Sequence, residues 1–244
     1  MEQENTIFSH QISVRIRLVK EPDVPHLHKL ISQMANYHNL SDVFSATETS
    51  LSKSLFKSPP YHSFTALILE VSPNPFPNTM AQDLSFNLII KNNINLETPI
   101  IDPEFETLKS RFNGDHIYVA GHVLVYPSYN GFFEKPGLYL DQLFVRNCYR
   151  GLGFGKILFS VVASQAASNG MGMVDWLVAN WNEKSMKFYE KMGAHDIPEY
   201  RLCKLYGEKL QQQQPYSCGE LTCTVTTGTG SHMCPPVVPL TLKS

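Results

Sequence analysis

The stretch Gly137–Asn169, GLYLDQLFVRNCYRGLGFGKILFSVVASQAASN, decides the fold. Gly137–Val145 is apolar and reads as a strand. Gly153–Asn169 reads as a helix, because Phe154, Ile157, Leu158, Val161 and Val162 fall on one stripe and Gly170 and Gly172 end it. Between them lies Arg150-Gly151-Leu152-Gly153-Phe154-Gly155-Lys156. Glycines there let a backbone approach a ligand closely. The helix start adds unpaired N–H groups and a positive dipole end, so the turn can cradle a pyrophosphate. Its R-x-x-G-x-G spacing is neither that of a dinucleotide fingerprint nor that of a Walker loop.

Downstream, Val174–Ala179 (VDWLVA) reads as a strand that must be reached by a right-handed crossover. Asn182–Met192 is a helix with Asn182 as cap and Gly193 just past its end, and Tyr200–Tyr206 is a last strand. Upstream, Ser13–Val19 sets Val14, Ile16 and Leu18 against Arg15 and Arg17, the alternation of a strand. Asp23 and Pro25 open a helix that carries Leu27, Leu30, Ile31 and Met34 up to Tyr37. A second helix is expected over Thr47–Phe56, and strands over Ser63–Val71 and Ile117–Tyr126. The Pro- and Asn-rich residues 72–116 read as a long insertion between two strands. Residues 1–12 are expected to be a flexible leader, 13–210 the domain, and 211–244 a weakly ordered tail. The fold class is mixed α/β: a twisted, mostly antiparallel sheet with helices on both faces, not a doubly wound parallel one.

The chain has 244 residues, with 20 Lys plus Arg against 22 Asp plus Glu, and 43% of it is hydrophobic. Near-neutral charge argues against nucleic acid bound by bulk electrostatics. No apolar run suggests a membrane span, and the polar, acidic start is unlike a signal peptide. Five cysteines (148, 203, 218, 223, 234) without a C-x-x-C pair suggest reduced thiols in a cytosolic or nuclear protein, and a cytoplasmic location is expected. The histidines have no zinc spacing, so no metal site is expected.

The glycine turn, followed by Asn182-x-x-Ser185-x-x-Phe188-Tyr189-x-x-x-Gly193-Ala194, resembles the GCN5-related N-acetyltransferase superfamily over roughly residues 14–210. Leu138–Val145, Tyr149-Arg150-Gly151 and Trp181-Asn182-Glu183 look like its diamine acetyltransferase subfamily. Leu69–Phe76 and the insertion look like the plant branch, which contains diamine and ornithine acetyltransferases and tyramine hydroxycinnamoyltransferases. Tyr37-His38-Asn39, Glu134–Gly137 and Val162-Ala163-Ser164 lean toward the tyramine enzymes.

The resemblance implies an acyl-coenzyme A-dependent N-acyltransferase, with acetyl-coenzyme A or another acyl-coenzyme A as co-substrate and no tightly bound cofactor. It implies a small primary amine as acceptor and a homodimer. Acyl-coenzyme A would lie where two parallel strands, Leu138–Val145 and Val174–Ala179, splay apart. Backbone groups of Leu143, Phe144 and Val145 would pair with the pantetheine amides, and amides of Arg150, Gly151, Leu152, Gly153, Phe154 and Gly155 would hold the pyrophosphate. Asn182, with Ser185 in the same motif, is the usual pantetheine or helix-cap contact. Asp141 stands at the base position and Tyr189 at the acid position. Asp141, Gln142 and Trp181 are the candidate amine contacts. The diamine enzymes carry a second acid where this chain has Gln142, which tilts toward an amine with an apolar or phenolic end. Acetyl transfer to a diamine, ornithine or arylalkylamine is the leading expectation. The alternatives are tyramine hydroxycinnamoyl transfer, a non-catalytic acyl-coenzyme A binder, and a protein lysine acetyltransferase.

Overall fold

The computed structural model describes residues 6–77, 86, 88–111, 116–131 and 134–212. By contacts the chain falls into two units, 1–194 and 195–244. In the first, β1 (Thr6–Phe8) and β2 (Gln11–Leu18) precede two helices, α1 (Val24–Tyr37) and α2 (Glu48–Leu55). Then come β3 (Thr65–Ser72), β4 (Ile89–Asn95), β5 (Ile100–Ile101), β6 (Tyr118–Asn130) and β7 (Lys135–Val145). The helix α3 (Phe154–Ser168), the strand β8 (Met173–Trp176) and the helix α4 (Glu183–Glu190) complete it. In the second unit the described residues include one short helix, α5 (Glu208–Gln211).

Six strands form one sheet in the order β4-β2-β3-β6-β7-β8. Every neighbour is antiparallel except the pair β7–β8, which α3 connects as a crossover. Alternation places Val14, Ile16, Leu67, Leu69, Val123 and Val125 in one core layer with Phe154, Leu158 and Val162 of α3. Ala66, Ile68, Val119 and Leu124 face the opposite layer, with Leu27, Leu30 and Ile31 of α1 and Leu51 and Leu55 of α2. The mixed, mostly antiparallel sheet with helices on both faces, expected from the sequence, is the fold the chain adopts.

The arginines of β2 do not face water, as the alternation would suggest. Arg15 is 1% exposed. Its Nε donates to Glu70 of β3 at 2.7 Å, and Arg17 Nη2 donates to the same carboxylate at 2.6 Å. Arg17 Nη1 reaches Asp23 at 2.6 Å, so Asp23 stands at the start of α1 without a side-chain cap bond to that helix. By contrast, Thr47 and Ser50 form a reciprocal capping box at α2.

Four expectations need correction. The leader is not loose to residue 12: β1 pairs with β5, and Phe8 and Ile12 are fully buried. The insertion is not mere loop, because β4 adds to the sheet beside β2 and Leu108 joins the core. The strand expected over Val174–Ala179 stops at Trp176, because β7 gives it no ladder partner past Leu140. Tyr200–Tyr206 is not a strand; its alternation has no paired neighbour among the described residues, and a strand without a ladder leaves its backbone unsatisfied. The tail beyond Gln212, including Cys218, Cys223 and Cys234, lies outside the described residues.

Candidate active site

β7 and β8 pair in parallel from Gly137↔Met173 to Leu140↔Trp176 and then part. β7 continues to Val145, held on its other side by β6. A wedge therefore opens at Leu140/Trp176, with Leu143, Phe144 and Val145 along one of its walls. The next residue, Asp141, has no counterpart in β6, where Leu124 pairs with Gln142 and Val125 with Leu140. It is the extra residue of a β-bulge, a device that re-aims a side chain and bends the strand. Asp141 is exposed, and its charge acts on Tyr126 and Tyr139. Those two rings stack at 5.0 Å. Burial pushes both phenols above their ordinary value; Asp141 adds to it at Tyr126, and Tyr126, Asp141 and Asp175 add to it at Tyr139.

Tyr189 approaches the same fork from α4. Its ring lies 4.8 Å from that of Trp176, the last paired residue of β8, and 5.7 Å from Phe159 of α3. Burial pushes its phenol up to about 12, so it is a neutral proton carrier across the physiological range. Asp141 thus follows the last paired residue of β7, and Tyr189 lies against the last paired residue of β8.

Past β7 the chain turns through Asn147–Tyr149 into the glycine loop. Gly151 and Gly153 have φ of +84° and +79°, where a side chain is strained, and a Cβ on either would meet nothing within 4 Å. Gly153 is the N-cap of α3 and supplies no side chain, so the first-turn amides of that helix have no side-chain cap and the space beside Gly151 and Gly153 is open. Phe154 itself is buried, and Gly155 lies in ordinary contact range of Phe188 and Leu143. Leu152 packs against the core. This donor set fits a pyrophosphate held by backbone.

Arg150 is placed differently from the rest of the loop. Its amide donates to Asn147 O at 3.2 Å and its Nε to Val145 O at 2.8 Å. The guanidinium lies over Tyr37 at 4.9 Å and Phe144 at 5.5 Å. Val145 O is therefore already engaged. Asn182 is 8% exposed and caps α4, its Oδ1 accepting from the Ser185 amide at 3.3 Å, which occupies Ser185 as well. Trp181 is more than half exposed and lies against Tyr37 and His38 at 5.6 and 5.3 Å. The end of α1 thereby meets the loop before α4 beside the wedge.

Sequence reading did not single out His122. It is fully buried in β6, its Nε2 2.9 Å from Gln142 Oε1 and its ring 5.9 Å from Phe144. Burial drives its pKa down to about 4, so the ring is neutral and can donate to Gln142. A histidine in mid-strand opposite Phe144 carried no spacing signal. No cluster of His, Cys, Asp or Glu among the described residues could hold a metal. Nor is any described helix long and apolar enough to cross a membrane.

Residues 91–194 match the Acetyltransferase (GNAT) family. An L-ornithine N5-acetyltransferase of Arabidopsis thaliana is 42% identical over 85% of this chain and 91% of its own. A tyramine N-feruloyltransferase of Nicotiana tabacum is 40% identical over 86% and 94%. Among solved structures, an integron cassette protein from V. cholerae superposes with a TM-score of 0.51 at 18% identity, over 81% of this chain and 95% of its own. A splayed parallel pair, a glycine-capped helix start and relatives matched nearly end to end lead to one assignment: the chain belongs to the GNAT acetyltransferase family and is an acyl-coenzyme A:amine N-acyltransferase.

Proposed function

We propose that the chain transfers an acetyl group from acetyl-coenzyme A to a small primary amine, a diamine, ornithine or an arylalkylamine. The observation that carries this is the fork at Leu140/Trp176, with a carboxylate on the bulge of one strand and a neutral phenol against the end of the other. Pantetheine lies along Leu143 and Phe144, and the pyrophosphate rests on the amides that open α3. Asp141 takes the ammonium proton, directly or through water. The neutral amine attacks the thioester carbon, and a β7 amide near Phe144 polarises the carbonyl oxygen. The C–S bond then breaks, the departing thiolate takes the Tyr189 proton, and the second proton lost by the attacking nitrogen as it becomes an amide restores the Tyr189 phenol. Asn182 borders the pantetheine, and Trp181 borders the acceptor side. In this reading the acyltransferase domain takes in β1 as well as the sheet, and it works as a cytoplasmic homodimer.

Hydroxycinnamoyl transfer to tyramine is the second reading, and Gln142 favours it. Its amide oxygen is engaged by His122, so this position offers no second carboxylate to a distal ammonium. The tobacco relatives named as tyramine N-feruloyltransferases point the same way. The test is a matrix of acetyl-, coumaroyl- and feruloyl-coenzyme A against tyramine, putrescine, spermidine and ornithine, followed by free thiol release. Turnover with acetyl-coenzyme A and at least one amine supports the first reading. Turnover confined to the aromatic acyl donors with tyramine replaces it with the second, and no turnover in any cell overturns both.

A further inference from the structure

Three stretches far apart in sequence meet behind the glycine loop. Asp102 follows β5 in the insertion and is fully buried. Its carboxylate binds Arg146 in a two-pronged pair, with Nη1 donating to Oδ2 at 2.7 Å and Nη2 to Oδ1. The Tyr149 hydroxyl donates to the same Oδ2 at 2.7 Å. Arg146 and Tyr149 are themselves 2% and 0% exposed. Arg146 further spans to β6, its amide donating to Ala120 O at 2.9 Å and its Nη1 to Val119 O at 3.1 Å. Phe8 of β1 lies edge-on to the Tyr149 ring at 6.1 Å. From the other side, Glu104 donates its amide to Asp102 at 2.9 Å, while its carboxylate accepts from Lys29 and Gln33 of α1 at 2.9 and 2.7 Å.

Arg146 and Tyr149 bracket the turn that delivers Arg150 and Gly151. A buried ion pair is a weak source of stability, since desolvation offsets much of its Coulombic gain. It is a strong source of orientation, because a bidentate fork and a shared hydroxyl tolerate one geometry. We infer that Asp102 is a positioning residue: through Arg146 and Tyr149 it sets where the chain enters the phosphate-holding turn, so that the insertion braces the acyl-coenzyme A site from behind. This rests on the acyltransferase reading, because the turn matters only if it holds that ligand. The brace touches neither acyl group nor amine, so its loss acts on coenzyme A affinity and spares the chemical step.

The test uses the full chain with Asp102→Asn and, as a milder change, Tyr149→Phe. Leu51→Ala in α2 serves as a variant that lowers stability away from the turn. Affinity for free coenzyme A is measured by calorimetry below each variant's unfolding temperature, with KM for acetyl-coenzyme A, KM for the amine and kcat beside it. Asp102→Asn is expected to weaken coenzyme A binding and raise the acyl-donor KM by about tenfold or more, and Tyr149→Phe by about threefold. In both, kcat at saturating donor and the amine KM stay within about twofold, and Leu51→Ala keeps wild-type affinity. If Asp102→Asn does not fold, Tyr149→Phe against Leu51→Ala decides. Wild-type coenzyme A affinity in a folded Tyr149→Phe variant, or an equal loss in Leu51→Ala, overturns the brace and leaves the acyltransferase reading standing. A wild-type chain that binds no coenzyme A overturns both.

Discussion

At the scale of single residues, Tyr189 and Asp141 divide the proton work, and each can be tested alone. Tyr189→Phe keeps the ring against Trp176 and removes only the proton. The expected result is a kcat lowered by about 10²-fold with unchanged coenzyme A affinity, read from steady-state rates and calorimetry. An unchanged kcat removes Tyr189 from the mechanism. Asp141→Asn leaves the amine to lose its proton to solvent, so the rate–pH profile should move to higher pH; an unmoved profile removes Asp141 as base. His122 offers a check on the interior. Its folded value of about 4 lies below the ordinary histidine value of 6.5, so between those values the unfolded chain binds a proton that the fold refuses. Stability therefore falls as pH drops through that window, by up to about 3 kcal/mol from this ring. Denaturant unfolding of His122→Gln should show a shallower loss between pH 6.5 and 4. Asp141 and Tyr189 became candidates only through the family motifs they match, and their roles stand as proposals. His122 was not legible, because a lone buried histidine looks like any strand residue until its neighbour across the ladder is known.

At the scale of elements, the legible parts were those with strong local periodicity. α1, α3 and the strands from β2 to β7 that alternate cleanly fall where their apolar spacing put them. What failed was decided by neighbours. β8 ends early because β7 bends away, and Tyr200–Tyr206 alternates like a strand but has no ladder to join. The burial of Arg15 and Arg17 was not legible, because nothing local announces that Glu70 and Asp23 will meet them. The glycine loop is the element whose chemistry depends most on backbone. Gly153→Ala asks an L-residue to hold φ near +79°, at a cost of about 1–2 kcal/mol. The expected outcome is a several-fold higher KM for acetyl-coenzyme A with the amine KM unchanged, measured by initial rates.

At the scale of the whole molecule, two buried charge clusters tie the insertion to the sheet. Ser110 donates to Glu70 at 2.5 Å, and Asp102 binds Arg146. Burial alone would raise both carboxylates, but the arginine bonds outweigh it and hold Glu70 below 4.5 and Asp102 below 3.8. A depressed folded value means that stability is fully present above the unfolded value and is lost as pH falls toward the folded one. Thermal unfolding should therefore show an added drop in Tm beginning near pH 4.5 and steepening below 3.8. Arg15→Met, Arg17→Met and Glu70→Leu combined should blunt the upper part of that drop. The sequence marked residues 72–116 as an insertion from proline and asparagine content alone. Its attachment was not legible, because the partners sit on β2, β3 and the turn after β7.

The bulge at Asp141 has one more consequence. A strand's faces alternate with period two, so a single extra residue is a half-period phase shift. Upstream of it, Leu138 and Leu140 point into the α3 layer; downstream, Val145 does so while Phe144 points into the α1 layer. Deleting Asp141 would close the ladder with Gln142 to Val145 still opposite Leu124 to Gly121 and each side chain on its present face, so what the extra residue supplies is the local bend and the re-aimed carboxylate. Exposed as it is, this position tolerates both replacement and removal in folding: Asp141→Ala and the one-residue deletion should each keep a cooperative unfolding transition, and only turnover should fall.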